Sequence, residues 1–154
     1  MKLLAYEVDK RSFLGVLNED ETWVYPISAA GMEYRSMKDL IREAGPSEME
    51  MLDYISKKAP GDVMGAAPVD EIRVVSPIAE PDQDIICLGI NYMDHAEESA
   101  RFEKRAFEKP EKAIYFSKRV NRTNDPDGII PAHKNLTNQL DYEAELAVII
   151  KKDA

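Results

Sequence analysis

The first third of the chain alternates short apolar runs with polar stretches, which predicts a meander of β-strands. Strands are expected over residues 3–8, 12–17 and 22–27, where β-branched and aromatic residues are frequent. The polar connections 9–11 and 18–21 have hairpin length, so successive strands should pair antiparallel. This pattern predicts a small N-terminal sheet.

Helical spacing follows the predicted sheet. A first helix is expected to begin at Ser36, where apolar residues recur at positions that share one helix face. A second is expected to begin at Ser47, because Ser47 and Glu50 have the spacing of a capping box. Pro60 and Gly61 should end it.

The remaining elements are strands and one helix. Strands are expected over 72–75, 85–90 and 113–117, and the second of these is a continuous apolar run that ends in a glycine turn. A helix should follow that turn, begin near Asp94 and continue towards Phe107. A dense turn signal then precedes a possible edge strand over 129–131.

The most informative segment is 140–150, which is rich in β-branched residues towards its end and contains no Gly or Pro. Alternate side chains of a strand share a face, so Glu143 and Glu145 should point the same way, followed by Ala147 and Ile149. Burying two unpaired carboxylates beside apolar surface is costly, and a bound cation would offset that cost. The alternative is a half-exposed strand end with solvated glutamates.

Composition limits the class of protein. The 154 residues are 44% hydrophobic and 32% charged, as in a folded globular domain. The net charge of -9 argues against a general role on nucleic acid or on an anionic membrane. Without an apolar run of membrane-spanning length or a signal peptide, we expect a cytoplasmic protein. Cys87 has no second cysteine to pair with and should be a small buried hydrophobe.

His95 and Glu98 lie three residues apart in the predicted helix and should share a face. A carboxylate beside an imidazole can support general-base activation of water. The alternative is that both are solvent-exposed. His133 is expected to be either structural or exposed. Eight basic residues and three acidic ones lie between residues 101 and 122, which indicates either a solvated face or a local positive field that attracts small anions.

The order of four motifs is more specific than any one of them. Residues 89–98 contain Gly-x-Asn-Tyr followed by x-x-His-x-x-Glu, and residues 116–118 are Phe-Ser-Lys. Pro-Asp-Gly opens residues 126–131, and residues 141–147 are Asp-Tyr-Glu-Ala-Glu-Leu-Ala. Together they resemble the first part of the catalytic domain of the fumarylacetoacetate hydrolase family.

The resemblance implies an α+β protein with two parts. Residues 1–70 would form a small N-terminal α/β domain, and residues 71–154 the first portion of a β-rich catalytic domain of mixed sandwich or roll type. The family's site also uses a downstream acidic ligand that this chain does not contain. The 154 residues are therefore expected to be the N-terminal portion of a longer enzyme, commonly a homodimer, with the remaining C-terminal portion as a possible partner.

The resemblance also implies roles for individual residues. Glu143 and Glu145 would bind Mg²⁺ or Mn²⁺, and His95 and Glu98 would activate water. The residues expected to bind substrate are Asn91, Tyr92 and Lys118. Two positions depart from the family pattern, since Ile90 replaces a frequent Arg and Arg119 replaces a frequent Pro.

The expected function is metal-dependent hydrolysis or lyase cleavage of a carbon–carbon bond in a small anionic 2-oxo or diketo acid. Alternative reactions within the family are decarboxylation of oxaloacetate and isomerisation of 2-hydroxyhepta-2,4-diene-1,7-dioate. The alternative class is a catalytically incomplete fragment, or a module that binds a metal or ligand without catalysis.

Overall fold

The structure is a computed structural model that describes residues 1–102 and 112–152. Within these ranges, it does not describe the side chains of four helical residues, His95, Glu98, Ser99 and Phe102. Residue contacts divide the chain into two compact units, one of residues 1–79 with 124–154 and one of residues 80–123.

The first unit is built on a five-stranded antiparallel sheet with the strand order β4-β3-β2-β1-β5. The strands are β1 Leu3–Val8, β2 Arg11–Leu17, β3 Trp23–Pro26, β4 Ala67–Pro68 and β5 Arg73–Val75. Asp9 and Lys10, which join β1 to β2, both have positive φ, as a two-residue hairpin turn requires. The predicted meander is confirmed, with β5 added at its edge beside β1.

Two helices and three 3₁₀ turns complete this unit. The helices are α1 Met37–Glu43 and α2 Pro46–Ser56, and the 3₁₀ turns are Ile27–Ala30, Pro60–Asp62 and Val69–Glu71. The start of α1 is as predicted, because the Ser36 hydroxyl oxygen accepts a hydrogen bond of 3.1 Å from the amide of Asp39.

The capping box predicted for Ser47 and Glu50 is wrong. Helix α2 begins one residue earlier, at Pro46, and the Glu48 carboxylate accepts a hydrogen bond of 2.8 Å from the Gly45 amide. Proline is favoured at the first helical position, since its fixed φ suits a helix and its missing N–H would lack an intrahelical partner there. Proline therefore outweighs the serine signal.

Glu48 also ties α2 to the loop that precedes α1. The Tyr34 hydroxyl donates a hydrogen bond of 2.5 Å to the Glu48 carboxylate. This bond is the main reason that the pKa of Glu48 is lowered, and the Gly45 amide adds to the effect. The same bond, together with burial, raises the pKa of Tyr34 to about 12.

The hydrophobic core lies between the sheet and the helices. Val16, Tyr25 and Leu52 have no exposed surface and belong to one cluster of buried side chains. A smaller cluster includes Val24, which is likewise fully buried. A Cβ on Gly15 would lie 2.5 Å from Val24 Cγ2, so only glycine permits this close approach of β2 and β3. This core packs the sheet of the first unit against its helices.

The second unit contains strand β6 Ile85–Gly89, helix α3 Met93–Phe102 and strand β7 Ile114–Lys118. The two strands pair antiparallel with Ile85 opposite Lys118. Cys87 is buried, as predicted. The predicted continuation of α3 towards Phe107 lies outside the described residues.

The strands predicted over 140–150 and 129–131 are not formed. Residues 129–131 and 141–150 have no regular secondary structure, and their side chains are exposed. The physical reason is that a strand is stable only when its backbone N–H and C=O groups pair with a neighbour. Among the described residues, no strand pairs with either segment. Without a sheet, alternation does not place Glu143 and Glu145 on one face.

The mixture of helices with an antiparallel sheet confirms the α+β class. The finer assignment to a sandwich or roll stays a prediction, as does the domain boundary at residue 70. In the part of the chain that the structure describes, no helix has the length and apolar character needed to span a membrane.

Candidate functional site

The connection from β6 to α3 carries the first group of predicted site residues. Ile90 has a φ of 54°, a left-handed conformation that is strained for a β-branched side chain. Asn91 and Tyr92 follow and are exposed. The Tyr92 carbonyl then accepts a hydrogen bond of 3.0 Å from the Ala96 amide, which begins the helix. The strained turn therefore presents Asn91 and Tyr92 to solvent between two regular elements.

His95 and Glu98 both lie in α3, as predicted, at positions three apart. Their side chains lie outside what the structure describes, so a contact between imidazole and carboxylate stays a prediction. The helix has a buried side, formed by Ala96 and Ala100, which are 3% and 2% exposed.

Lys118 lies at the opposite end of the β6–β7 pair from the β6–α3 connection. It pairs with Ile85, whereas the β6–α3 connection begins after Gly89. Four strand residues span about 14 Å, so the structure does not bring Lys118 next to Asn91. The Lys118 Nζ lies 5.8 Å from the centre of the Phe116 ring, which is its neighbour on the same strand face.

The turn before the predicted metal strand is held in the first unit by a contact that sequence reasoning missed. Arg73 Nη2 donates a hydrogen bond of 2.6 Å to Asp125 Oδ2, and the Ser76 amide donates one of 2.9 Å to Asp125 Oδ1. We call residues 124–129 the anchored turn. No local pattern could have revealed the contact, because Arg73 and Asp125 are 52 positions apart.

Glu143 and Glu145 follow the anchored turn in what we call the acidic segment, residues 140–150. Both carboxylates are exposed, and so is His133 in the preceding loop, as expected. Hard carboxylate oxygens suit Mg²⁺ or Mn²⁺. Within residues 1–102 and 112–152, however, no group of three or more His, Cys, Asp or Glu side chains is arranged to hold a metal ion. The two glutamates thus fit the metal as donors without forming a complete site.

The structure describes five of the eight residues that make up the local basic excess. Arg101, Lys112, Lys118, Arg119 and Arg122 are exposed, and the other three lie outside the described residues. Arg122 Nη1 lies 3.9 Å from Glu80 Oε1, an exposed pair that contributes little stability. A local positive field on this unit stays a prediction.

Comparison with known proteins connects these residues to one family. Residues 84–154 match the family model described as "Fumarylacetoacetate (FAA) hydrolase C-terminal". Residues 84–154 belong to the fumarylacetoacetate hydrolase family. The matched range contains all four motifs, which confirms the predicted family.

Relatives extend the similarity beyond the range of the family model. The chain is 37% identical over 162 aligned residues to Oxaloacetate tautomerase YisK of Bacillus subtilis, covering 99% of this chain and 52% of the relative. An uncharacterized protein of Staphylococcus epidermidis is 27% identical over the same shares of both chains. An uncharacterized protein of Staphylococcus aureus is 35% identical over 54% of this chain and 25% of its own length. The chain thus spans about half the length of the first two relatives.

Proposed function

We propose that this chain supplies part of an enzyme that interconverts the keto and enol forms of a small 2-oxo acid, with oxaloacetate as the foremost candidate. The observation that carries the proposal is the 37% identity to Oxaloacetate tautomerase YisK over 99% of the chain. That similarity extends into residues 1–83, which lie before the range matched by the family model.

The chemistry requires two properties of the site. Removing a proton from carbon 3 of oxaloacetate moves an electron pair onto the carbon 2 oxygen, where negative charge must be stabilised. The same oxygen then takes up a proton to give the enol, and the reverse steps restore the ketone. A group that accepts and returns protons near neutral pH is therefore needed.

Residues of this chain are proposed for both roles. His95, with Glu98 three positions later on α3, would accept and return the proton. Glu143 and Glu145 would hold a Mg²⁺ or Mn²⁺ ion, which when bound supplies positive charge beside the 2-oxo acid. Asn91 and Tyr92, exposed beside the start of α3, would contact the substrate.

Cleavage of a carbon–carbon bond is the second candidate, and the matched family model favours it through its hydrolase description. Hydrolysis would use the same charge stabilisation but would require His95 and Glu98 to activate a water molecule. Decarboxylation of oxaloacetate would release carbon dioxide and leave pyruvate. The products therefore distinguish the candidates.

The test uses the complete protein that carries this sequence. Enolic oxaloacetate is added, loss of its ultraviolet absorbance is followed with Mn²⁺ or with a chelator, and pyruvate is measured in parallel. We expect faster ketonisation without pyruvate, and a loss of rate of about 10²-fold in Glu143→Gln and in His95→Ala. The matched control is Glu50→Gln, which removes an exposed carboxylate of α2 and should not change the rate.

Two results would contradict the proposal. Pyruvate formation at the rate of substrate loss would show decarboxylation in place of tautomerisation. An unchanged ketonisation rate in Glu143→Gln, or after complete removal of divalent ions, would show that the reaction does not need a metal ion bound by the two glutamates. Binding of Mn²⁺ measured directly in Glu143→Gln separates a lost metal from a misfolded protein.

A further inference from the structure

Arg73 connects the edge of the N-terminal sheet to a distant part of the chain. Its Nη1 donates a hydrogen bond of 2.7 Å to Glu7 Oε2, and its Nη2 donates one of 2.6 Å to Asp125 Oδ2. Glu7 lies directly opposite Arg73 in the pairing of β1 with β5. One guanidinium therefore joins a sheet pair to the anchored turn, a geometry that its rigid fork of donors favours.

Asp125 is held from a second direction as well. Besides Arg73, it accepts a hydrogen bond from the amide of Ser76, the residue that follows β5. Its side chain is only 21% exposed, which limits screening by solvent more than at an open surface pair. Both carboxylate oxygens of Asp125 thus face the end of β5.

The anchored turn is closed by its own hydrogen bonds. The Gly128 amide donates to the Asp125 carbonyl at 3.0 Å, and Asn124 Nδ2 donates to the Ile129 carbonyl at 3.3 Å. These bonds make the turn a compact piece that the Asp125 carboxylate attaches to the sheet.

A second attachment lies after the acidic segment. Lys151 Nζ donates a hydrogen bond of 2.5 Å to the carbonyl of Ala44, which caps helix α1. Between these two attachments, Glu143 and Glu145 lie in a stretch without regular structure. Because the segment pairs with none of the described strands, contacts such as these two help to determine its position.

We infer that Arg73 and Asp125 are positioning residues for the acidic segment. By attaching the anchored turn to β1 and β5, they let the N-terminal sheet determine where Glu143 and Glu145 are presented. Arg73 acts through Asp125 and touches neither glutamate. The effect on turnover rests on the proposed function, whereas the attachment itself does not.

Amide hydrogen exchange in the complete protein tests the attachment. In Arg73→Met, we expect the Ser76 and Gly128 amides to exchange about three- to tenfold faster, since Asp125 loses its charge-assisted contact with the sheet edge. Exchange within β2 should not change. The matched control is Lys57→Met, which removes an exposed pair of the same unit, Lys57 Nζ to Asp53 Oδ2 at 2.6 Å, without touching the turn.

Kinetics with oxaloacetate test the positioning role. Arg73→Met and Asp125→Asn should lower kcat by about tenfold while KM changes less, because the acidic groups are displaced rather than removed. Arg73→Lys keeps the positive charge but lacks the planar guanidinium that contacts two carboxylates at once. Its kcat should therefore lie between those of Arg73→Met and the unmodified protein. Lys57→Met should keep both constants.

Each outcome decides a different point. Unchanged exchange at Ser76 and Gly128 in Arg73→Met would overturn the attachment. Faster exchange with unchanged kcat would show a purely structural contact and overturn the positioning role. An unmodified protein that does not act on oxaloacetate would contradict the proposed function, and exchange at the two amides would still decide the attachment.

Discussion

The N-terminal sheet with its two helices and the acidic segment are both rich in apolar residues, but only the sheet and helices bury them. Val16, Tyr25 and Leu52 have no exposed surface, whereas Leu146 is 82% and Ile150 is 76% exposed. In the first region, every strand pairs with at least one antiparallel neighbour, and two helices contribute to the core. In the second, none of the described strands pairs with the segment. Strand-forming composition therefore gives a strand only when a partner is present.

The second unit has paired strands, as the N-terminal sheet does, but exposed apolar side chains, as the acidic segment does. Its strands β6 and β7 form as predicted and pair antiparallel, but Ile86, Tyr115 and Phe116 remain 67%, 67% and 44% exposed. A two-stranded sheet satisfies its internal ladder without covering its faces. The three regions thus form a series from a packed core, through a pair of strands with exposed faces, to a segment that joins none of the described sheets.

The largest expected effect is on the free energy of unfolding, when a leucine is truncated to alanine in each of the two contrasting regions. Leu52→Ala should lower the free energy of unfolding by about 2–5 kcal/mol, because it leaves a cavity in the core. Leu146→Ala should change it by less than about 0.5 kcal/mol, since that side chain is exposed. Denaturant unfolding of both variants measures the difference. A comparable loss in Leu146→Ala would show that the acidic segment is packed after all.

A smaller effect is expected from adding one methyl group. Gly15→Ala places a Cβ 2.5 Å from Val24 Cγ2 and 3.0 Å from the Tyr25 carbonyl oxygen. The crowding should cost about 1–3 kcal/mol. The control is Gly61→Ala, where no other group lies within 4 Å of the added carbon. Equal Tm values for the two variants would contradict the close approach of β2 and β3.

The smallest expected effect depends on pH. The pKa of Glu48 is lowered in the folded chain, chiefly by the Tyr34 hydroxyl, so this carboxylate stabilises the fold above its ordinary pKa of 4.5. That contribution is lost as the pH falls through the lower folded pKa. The Tm difference between the unmodified protein and Tyr34→Phe should therefore be largest near neutral pH and should shrink below about pH 4.5.

Thermal unfolding from pH 7 to pH 3 measures this dependence. Tyr115→Phe is the control, because it removes a hydroxyl from an exposed residue of β7. A Tm difference for Tyr34→Phe that stays constant over this range would show that ionised Glu48 is not its partner.

Much of the fold followed from local pattern. The three strands of the meander, the Ser36 cap of α1, the β6–β7 strands and buried Cys87 were all predicted from neighbouring residues. The start of α2 was misplaced by one residue, because Pro46 outweighed the signal at Ser47. Local rules succeed here because hairpin turns, helix caps and apolar periodicity act over a few residues.

The sequence by itself determined the family, the α+β class and the residues proposed for chemistry, since each depends on residue types in a fixed order. Tertiary structure decided the rest. Among the described residues, it paired no strand with the acidic segment, separated Lys118 from Asn91 along the β6–β7 pair, and joined Arg73 to Asp125. These outcomes depend on contacts between residues that are far apart in the sequence. A strand needs a neighbour for its backbone hydrogen bonds, and an ion pair needs an opposite charge within reach, so neither can be inferred from local pattern.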